Sequence, residues 1–267
     1  DDPDIVRPIL EANWIFLGPG SPTYAAKQMR DSLALDMIAA RHRLGATLML
    51  ASSATLAFSA LTMPVYEIYK VGQDLHWQNG ADFFAAFGLP LVVIPHWNNT
   101  DGGDELDTSR CYLGRDRFGR LRELLPPDQT ILGIDEHTSL VIDKAAAECT
   151  VLGHGRVVIL RNGDRAEFNS GDTFHPEVLG QWRLPADGAG IRADVWQEAQ
   201  AVHSRLQAEE ASEPTPPDEV QALVTARTEA RAADDWDEAD ALRDKIAELG
   251  WQVKDTPDGP QLELLEN

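Results

Sequence analysis

Three apolar runs in this 267-residue chain each end in a side chain that can help break an acyl bond. Leu48-Met49-Leu50-Ala51 runs into Ser52-Ser53, Leu91-Val92-Val93-Ile94-Pro95 into His96, and Ile131-Leu132-Gly133-Ile134 into Asp135-Glu136. A hydroxyl is a weak nucleophile until a base takes its proton, and an imidazole serves best as that base when an acid orients it. In this scheme Ser53 attacks, His96 shuttles the proton and Glu136 orients His96.

Positioning such groups is a task for strands. Short apolar runs bounded by turn signals read as buried strands, and ligands on α/β sheets bind beyond the carboxyl ends of the strands. A further strand is expected at 14–17, closed by Gly18-Pro19-Gly20-Ser21-Pro22, after a helix end at 4–12. Helices are expected over 24–43, from about 54, over 80–87 and over 117–125, where Pro126-Pro127 stops the last. Residues 140–142, 156–160 and 166–168 read as a small antiparallel edge, with Asn162-Gly163-Asp164 as a hairpin turn. Strands alternating with helices predict an α/β domain with a mostly parallel sheet flanked by helices. It is expected to occupy residues 1–185, with a helix (193–211) and a linker in 186–217 and a small helical unit with a short β-hairpin at 218–267. In that unit Asp218 is expected to cap a helix running to Arg231, a second helix runs from Trp236 to Leu249, and Trp251-Gln252-Val253 pairs with 261–264 across Pro257-Asp258-Gly259.

Composition narrows the function classes. A net charge of −21 repels phosphate, which disfavours nonspecific binding to nucleic acid or anionic membranes. Cys111 and Cys149 form no disulfide framework and no C-x-x-C pair, which fits a reducing, cytoplasmic setting. Asp1-Asp2-Pro3-Asp4 is acidic where a signal peptide needs a basic start. Residues 44–66 carry no charge and are long enough to span a bilayer, but their Ser and Thr content and Pro64 favour a strand, a sharp turn and a helix. His96, Asp107, Cys111 and His137 match no common zinc spacing, so neither metal nor other cofactor is expected. Gly18 to Pro22 resembles a phosphate loop only loosely, because its two prolines remove amide donors. Glu67 and Lys70 stand at i, i+3, as an ion pair or as pocket lining.

Residues 14–174 resemble the peptidase E and cyanophycinase family, serine peptidases on the class I glutamine amidotransferase-like fold. Ala51-Ser52-Ser53-Ala54-Thr55-Leu56 stands where that family has G-x-S-A-G-A, Ile94-Pro95-His96-Trp97 precedes Arg110, Arg115, Arg117 and Arg120, and Gly133-Ile134-Asp135-Glu136-His137-Thr138-Ser139 matches a G-I-D-E-x-T-A-like stretch. The resemblance implies Ser53, His96 and Glu136 as the catalytic set, with Gly20, Ser21 and Ala54 at the substrate. Arg110, Arg115 and Arg117 would face the carboxylates of an acidic peptide or amide. Both motif glycines are replaced, by Ala51 and Thr55, so the elbow is expected to be crowded and the site either active or turned to binding alone. The first strand here matches a later strand of the family, so upstream strands are expected to be missing.

Residues 219–259 resemble the C-terminal domain of bacterial cysteinyl-tRNA synthetases, which helps to read the anticodon. Ala226-Arg227, Ala230-Arg231, Asp235 to Asp240, Leu242-Arg243-Asp244, Leu249-Gly250 and Asp255 to Gly259 carry the match. No H-I-G-H or K-M-S-K signature appears, so aminoacylation is not expected. From Ala211 onward 15 acids face five bases, and only Arg227, Arg231 and Arg243 fall at helical spacing that could make a basic face. A protein-interaction or stability module is favoured over tRNA binding, and self-association stays open.

Overall fold

The computed structural model describes residues 2–212, 215–256 and 259–265, which fall into two units, residues 1–203 and 204–267. In the first unit, α1 (Pro3–Val6) leads through a 3-10 turn at Arg7–Glu11 to β1 (Trp14–Leu17). The helix expected over 24–43 is two helices, α2 (Pro22–Met29) and α3 (Leu33–Arg43). The break is local chemistry: Asp31 takes a left-handed φ of 58°, and the Ser32 side chain accepts from the Leu35 N–H, which caps a new helix. β2 (Thr47–Leu50) then pairs in parallel with β1, and α4 (Ser53–Phe58) follows after two residues.

β3 (Leu61–Thr62), α5 (Val65–Tyr69) and β4 (Gln78–Asn79) lead to a 3-10 turn at Phe83–Phe87, where a helix was expected. β5 (Leu91–Ile94), α6 (Arg115–Arg122) and β6 (Thr130–Ile134) come next. A run of antiparallel strands ends the unit: β7 (Thr138–Asp143), β8 (Glu148–Gly153), β9 (Arg156–Arg161), β10 (Asp164–Asn169) and β11 (Thr173–Phe174). α7 (Ala193–Ser212) contains the division between the units, and its first turns pack Val195 and Ala199 on Leu10, Met37 and Ala40.

The expectation of a mostly parallel sheet needs correction. Among the described residues only β1–β2 and β5–β6 pair in parallel, and the sheets are small and mixed. The largest has the order β10-β9-β6-β5, with β6–β9 and β9–β10 antiparallel. A parallel pair needs a long crossover, which α6 supplies between β5 and β6; after β6 the connections are short, and short connections give antiparallel neighbours. The strands expected as one antiparallel edge divide between two sheets, β9 and β10 in this one and β7 with β8 and β11 in another.

Strand periodicity makes the four-stranded sheet a two-faced core. Val92, Ile94, Ile131 and Val158 lie with Leu56, Ile68, Phe118 and Leu121 on one side, while Leu91, Val93, Leu132, Val157 and Ile159 lie with Phe87, Phe174 and Leu179 on the other. Gly133 of β6 allows one close approach: a Cβ there would meet the Trp97 ring at 2.4 Å. Trp97, buried directly after His96, is thereby seated on the sheet and held edge-on by Phe118.

In the second unit α8 (Asp218–Ala232) and α9 (Trp236–Glu248) pack with a hairpin of β12 (Trp251–Thr256) and β13 (Gly259–Leu264). Pro217 occupies the cap of α8, where Asp218 was expected, and the Asp235 side chain caps α9. Val220, Ile246, Trp251 and Val253 form a small core. The Pro257-Asp258 part of the expected turn, like Glu213-Pro214 of the linker, lies outside the described residues. No helix among the described residues is long and apolar enough to cross a membrane, and residues 44–66 divide among β2, α4, β3 and α5.

Candidate active site

Three strands deliver three side chains to one place. Ser52 follows β2, His96 follows β5 and Glu136 follows β6. Ser52 Oγ lies 3.0 Å from His96 Nε2, and His96 Nδ1 lies 2.9 Å from Glu136 Oε1. A carboxylate can only accept, so the imidazole proton belongs on Nδ1, which leaves Nε2 to accept the Ser52 hydroxyl. His96 and Glu136 are each about 30% exposed (29% and 31%), so the line is sheltered but open to a ligand.

The backbone is strained at two of these residues. Ser52 has φ 52° and ψ −115°, and His96 has φ 51°. For residues other than glycine such conformations cost about 1–3 kcal/mol each and persist only where the surroundings impose them. Thr55 Oγ1 donates to the Ser52 carbonyl at 2.7 Å and braces the elbow. Around His96, Cys111 N–H donates to the His96 carbonyl and Arg110 N–H to the Trp97 carbonyl. Arg110, Cys111 and Tyr112 are themselves three successive left-handed residues.

The hydroxyl that faces His96 lies one residue before the serine expected there. Ser53 is the first residue of α4, is buried, and donates its hydroxyl to the Gly18 carbonyl at 3.3 Å; the hydroxyl that meets His96 is that of Ser52. The cause is the length of β2: it ends at Leu50, and the chain reverses at Ser52 so that Ser53 to Phe58 can bury together as a helix. With the turn at Ser52, Ala54 rather than Thr55 falls two residues after the serine, where the G-x-S-A-G-A pattern has glycine. Ala54 is buried within α4. Gly20 lies beside this turn, its Cβ direction 3.6 Å from Ser53 Oγ. Ser21 caps α2 through the Tyr24 N–H.

Two of the three arginines expected at the substrate donate to nearby backbone carbonyls. Arg110 lies over the Trp97 ring at 3.8 Å and donates to the Trp97 carbonyl. Arg117 donates to the carbonyls of Leu113 and Tyr112. Arg115 is largely exposed and lies 3.8 Å from Asp107. Asp107 accepts from the amides of Ser109 and Arg115, and with the Ser109 hydrogen bond foremost its carboxyl is held down to about 2. These groups shape the loop beneath His96. Of the two roles expected for Glu67 and Lys70, Glu67 lines a cleft, with Oε1 accepting the Thr23 hydroxyl at 2.6 Å, while Lys70 lies over the Tyr66 ring.

Sequence reading missed the two residues that hold Glu136. Asn98 Oδ1 accepts the Glu136 N–H at 2.8 Å, and Asn99 Nδ2 donates to Glu136 Oε1 at 2.8 Å. The available signal was their place, two and three residues past His96 in a polar loop. Of the residues weighed for zinc, His96 is engaged with Ser52 and Glu136, and burial near Glu136 pushes the Cys111 thiol up to about 12. Among the described residues no three His, Cys, Asp or Glu side chains are grouped to hold a metal.

In the second unit Arg227 is buried and forms a two-point bond with Asp255 at 2.8 and 3.0 Å. Arg231 reaches the same carboxylate at 2.5 Å, and Arg243 lies 3.0 Å from Asp240 and 3.5 Å from Asp244. Residues 213–261 match the family described as the cysteinyl-tRNA ligase anticodon binding domain. Cysteine–tRNA ligase 1 of Burkholderia lata is 46% identical over 46 residues, 17% of this chain and 10% of the ligase. The enzyme of Chlamydia caviae is 45% identical over 49 residues, and that of Methanosarcina mazei 48% over 50, which cover 18% and 19% of this chain and 10% and 11% of theirs. The chain thus spans about a tenth of the length of these curated relatives. Among solved structures, a peptidase from an acI-B1 Actinobacterium is similar with a TM-score of 0.52 and 21% identity, covering 66% of this chain and 64% of that one. That likeness is one of fold.

Proposed function

We propose that the first unit is a serine hydrolase acting on a peptide or amide, with Ser52 as nucleophile, His96 as base and Glu136 as the acid that orients it. The observation that carries this reading is the unbroken line from Ser52 Oγ through His96 to Glu136, at 3.0 and 2.9 Å. Its fold-level likeness to a peptidase is consistent with it. His96 Nε2 takes the Ser52 proton as Oγ bonds to the acyl carbon. The Ser53 N–H, which has no acceptor within α4, is placed next to the nucleophile to donate to the developing oxyanion. His96 returns the proton to the leaving nitrogen as the C–N bond breaks. A water deprotonated by His96 then cleaves the Ser52 ester and restores the hydroxyl.

For the substrate, a cleft of about 680 Å³ is lined by Ser21, Thr23, Lys27, Arg30, Glu67 and Trp77, its first lining residue following Gly20 in the chain. Its cations suit an acidic group on the substrate and its carboxylate a basic one, so a peptide or amide carrying both signs fits better than a purely acidic one. A fluorophosphonate, which esterifies an activated serine, tests the reading. The expected label maps to Ser52, disappears in Ser52→Ala and survives in Ser53→Ala; folded protein that takes no label overturns it.

A tRNA-binding role for the second unit is the alternative, and the family match favours it. Against it stand the ion pairs of Arg227, Arg231 and Arg243, which leave little basic face for phosphates. A partner protein with a basic surface fits the acidic unit better. A salt-dependent gel shift of tRNA would reverse that preference.

A further inference from the structure

We infer that Asn99 is a positioning residue that fixes Glu136 against His96, and thereby sets the tautomer that accepts the Ser52 proton. A glutamate in the orienting role has one more rotatable bond than an aspartate, and Glu136 is about a third exposed, so holding it still needs more than its bond to His96. Asn99 supplies the second hold. Its side chain is buried, 2% exposed, and both ends of the amide are committed. Nδ2 donates to Glu136 Oε1 at 2.8 Å, while Oδ1 accepts the Asp101 N–H at 3.2 Å, which settles which end is which.

The result is one carboxylate oxygen with two N–H donors, His96 Nδ1 and Asn99 Nδ2. Two lone pairs are then both used, and the oxygen cannot turn away without breaking two bonds. The left-handed turn at His96 brings Asn99 back: the Asn99 N–H donates to the His96 carbonyl at 3.2 Å, so base and positioning residue belong to one tight turn. The neighbouring Asn98 takes the Glu136 N–H and fixes the backbone from which the carboxylate extends. Being neutral, Asn99 holds the carboxylate without placing a second charge of its own beside His96.

The consequence for rate rests on the hydrolase reading, and the experiment separates the two. Asn99→Leu keeps the bulk and removes the donor; Asn99→Asp keeps the acceptor for the Asp101 N–H and replaces the donor with a like charge. Fluorophosphonate labelling is expected to slow by about 10- to 100-fold in Asn99→Leu and further in Asn99→Asp, with little change in unfolding temperature. Asn99→Leu/Glu136→Gln is expected to label no more slowly than Glu136→Gln alone, because Asn99 acts through Glu136. The second readout needs no activity: the His96 Nδ1 proton resonance of the wild-type protein, far downfield when bonded to a carboxylate, is expected to move upfield or broaden in both Asn99 variants. Wild-type protein that takes no label but shows this resonance change would sink the hydrolase reading and leave the positioning role standing. Variants that keep both the wild-type labelling rate and the wild-type resonance overturn the role of Asn99.

Discussion

The two units treat their polar side chains in opposite ways. In the second, Arg227 and Arg231 close on the one carboxylate of Asp255, which offsets part of their charge inside the unit. In the first, Ser52, His96 and Glu136 form a line whose far end is a hydroxyl on a strained turn. The second unit has the stronger sequence relatives, 45–48% identical to tRNA ligases, yet spends the arginines that phosphate binding would use. The chain shares 21% identity with a peptidase structure, and in its first unit Ser52 Oγ stands 3.0 Å from His96 Nε2. Similarity preserves a fold through its core and its internal ion pairs; whether a site works depends on a few groups left unsatisfied by the fold.

The sharpest break between the units is expected from Glu136→Gln. Losing the carboxylate that orients the base should slow fluorophosphonate labelling by about 1,000-fold or more, by analogy with the removal of an orienting acid in other triads. Calorimetry of the same variant should show the second unit unchanged.

Acid should separate the units next. Burial, with Lys144 nearby, pushes His42 down to about 4, so His42 is neutral in the folded state while the unfolded chain binds a proton near pH 6.5. The stability it lends is complete above pH 6.5 and drains as pH falls toward 4, on the order of 3 kcal/mol. In the second unit, the hydrogen bond from Arg227 holds the Asp255 carboxyl below its ordinary value, so that contribution is lost only as pH falls below about 4. Urea midpoints followed by Trp fluorescence and circular dichroism should show the first unit weakening at the higher pH. His42→Gln should flatten its dependence between pH 6.5 and 4.

A smaller effect is expected from Arg227→Ala. Removing a buried arginine whose carboxylate partner keeps Arg231 and remains half exposed should cost the second unit about 2 kcal/mol. The labelling rate at Ser52 should stay the same; a change in it would mean that the second unit influences the first.

Much of this was legible in the chain. The runs ending at Leu50, Ile94 and Ile134 are strands, as their apolar pattern and turn signals predicted, and His96 and Glu136 stand just past two of their ends. The paired helices and hairpin of the second unit were readable from Asp235, Gly250 and the apolar spacing. What the sequence left open was settled by contacts between distant residues. Ser52 and Ser53 are the same residue type one position apart, and only the length of β2 and the burial of α4 decide which one turns toward His96. Arg110 and Arg117 have the composition of a carboxylate site, but the carbonyls of a left-handed loop claim them first.

By itself, then, the sequence determined which segments are apolar, where the chain must turn and which residue types are available for acyl chemistry, because periodicity and turn preference are local properties. Tertiary structure decided which hydroxyl meets the imidazole, which asparagine holds the glutamate and which arginines are already paired. Those outcomes depend on hydrogen bonds of about 3 Å between groups roughly 40 residues apart, as Ser52, His96 and Glu136 are, and no local pattern encodes distances of that kind.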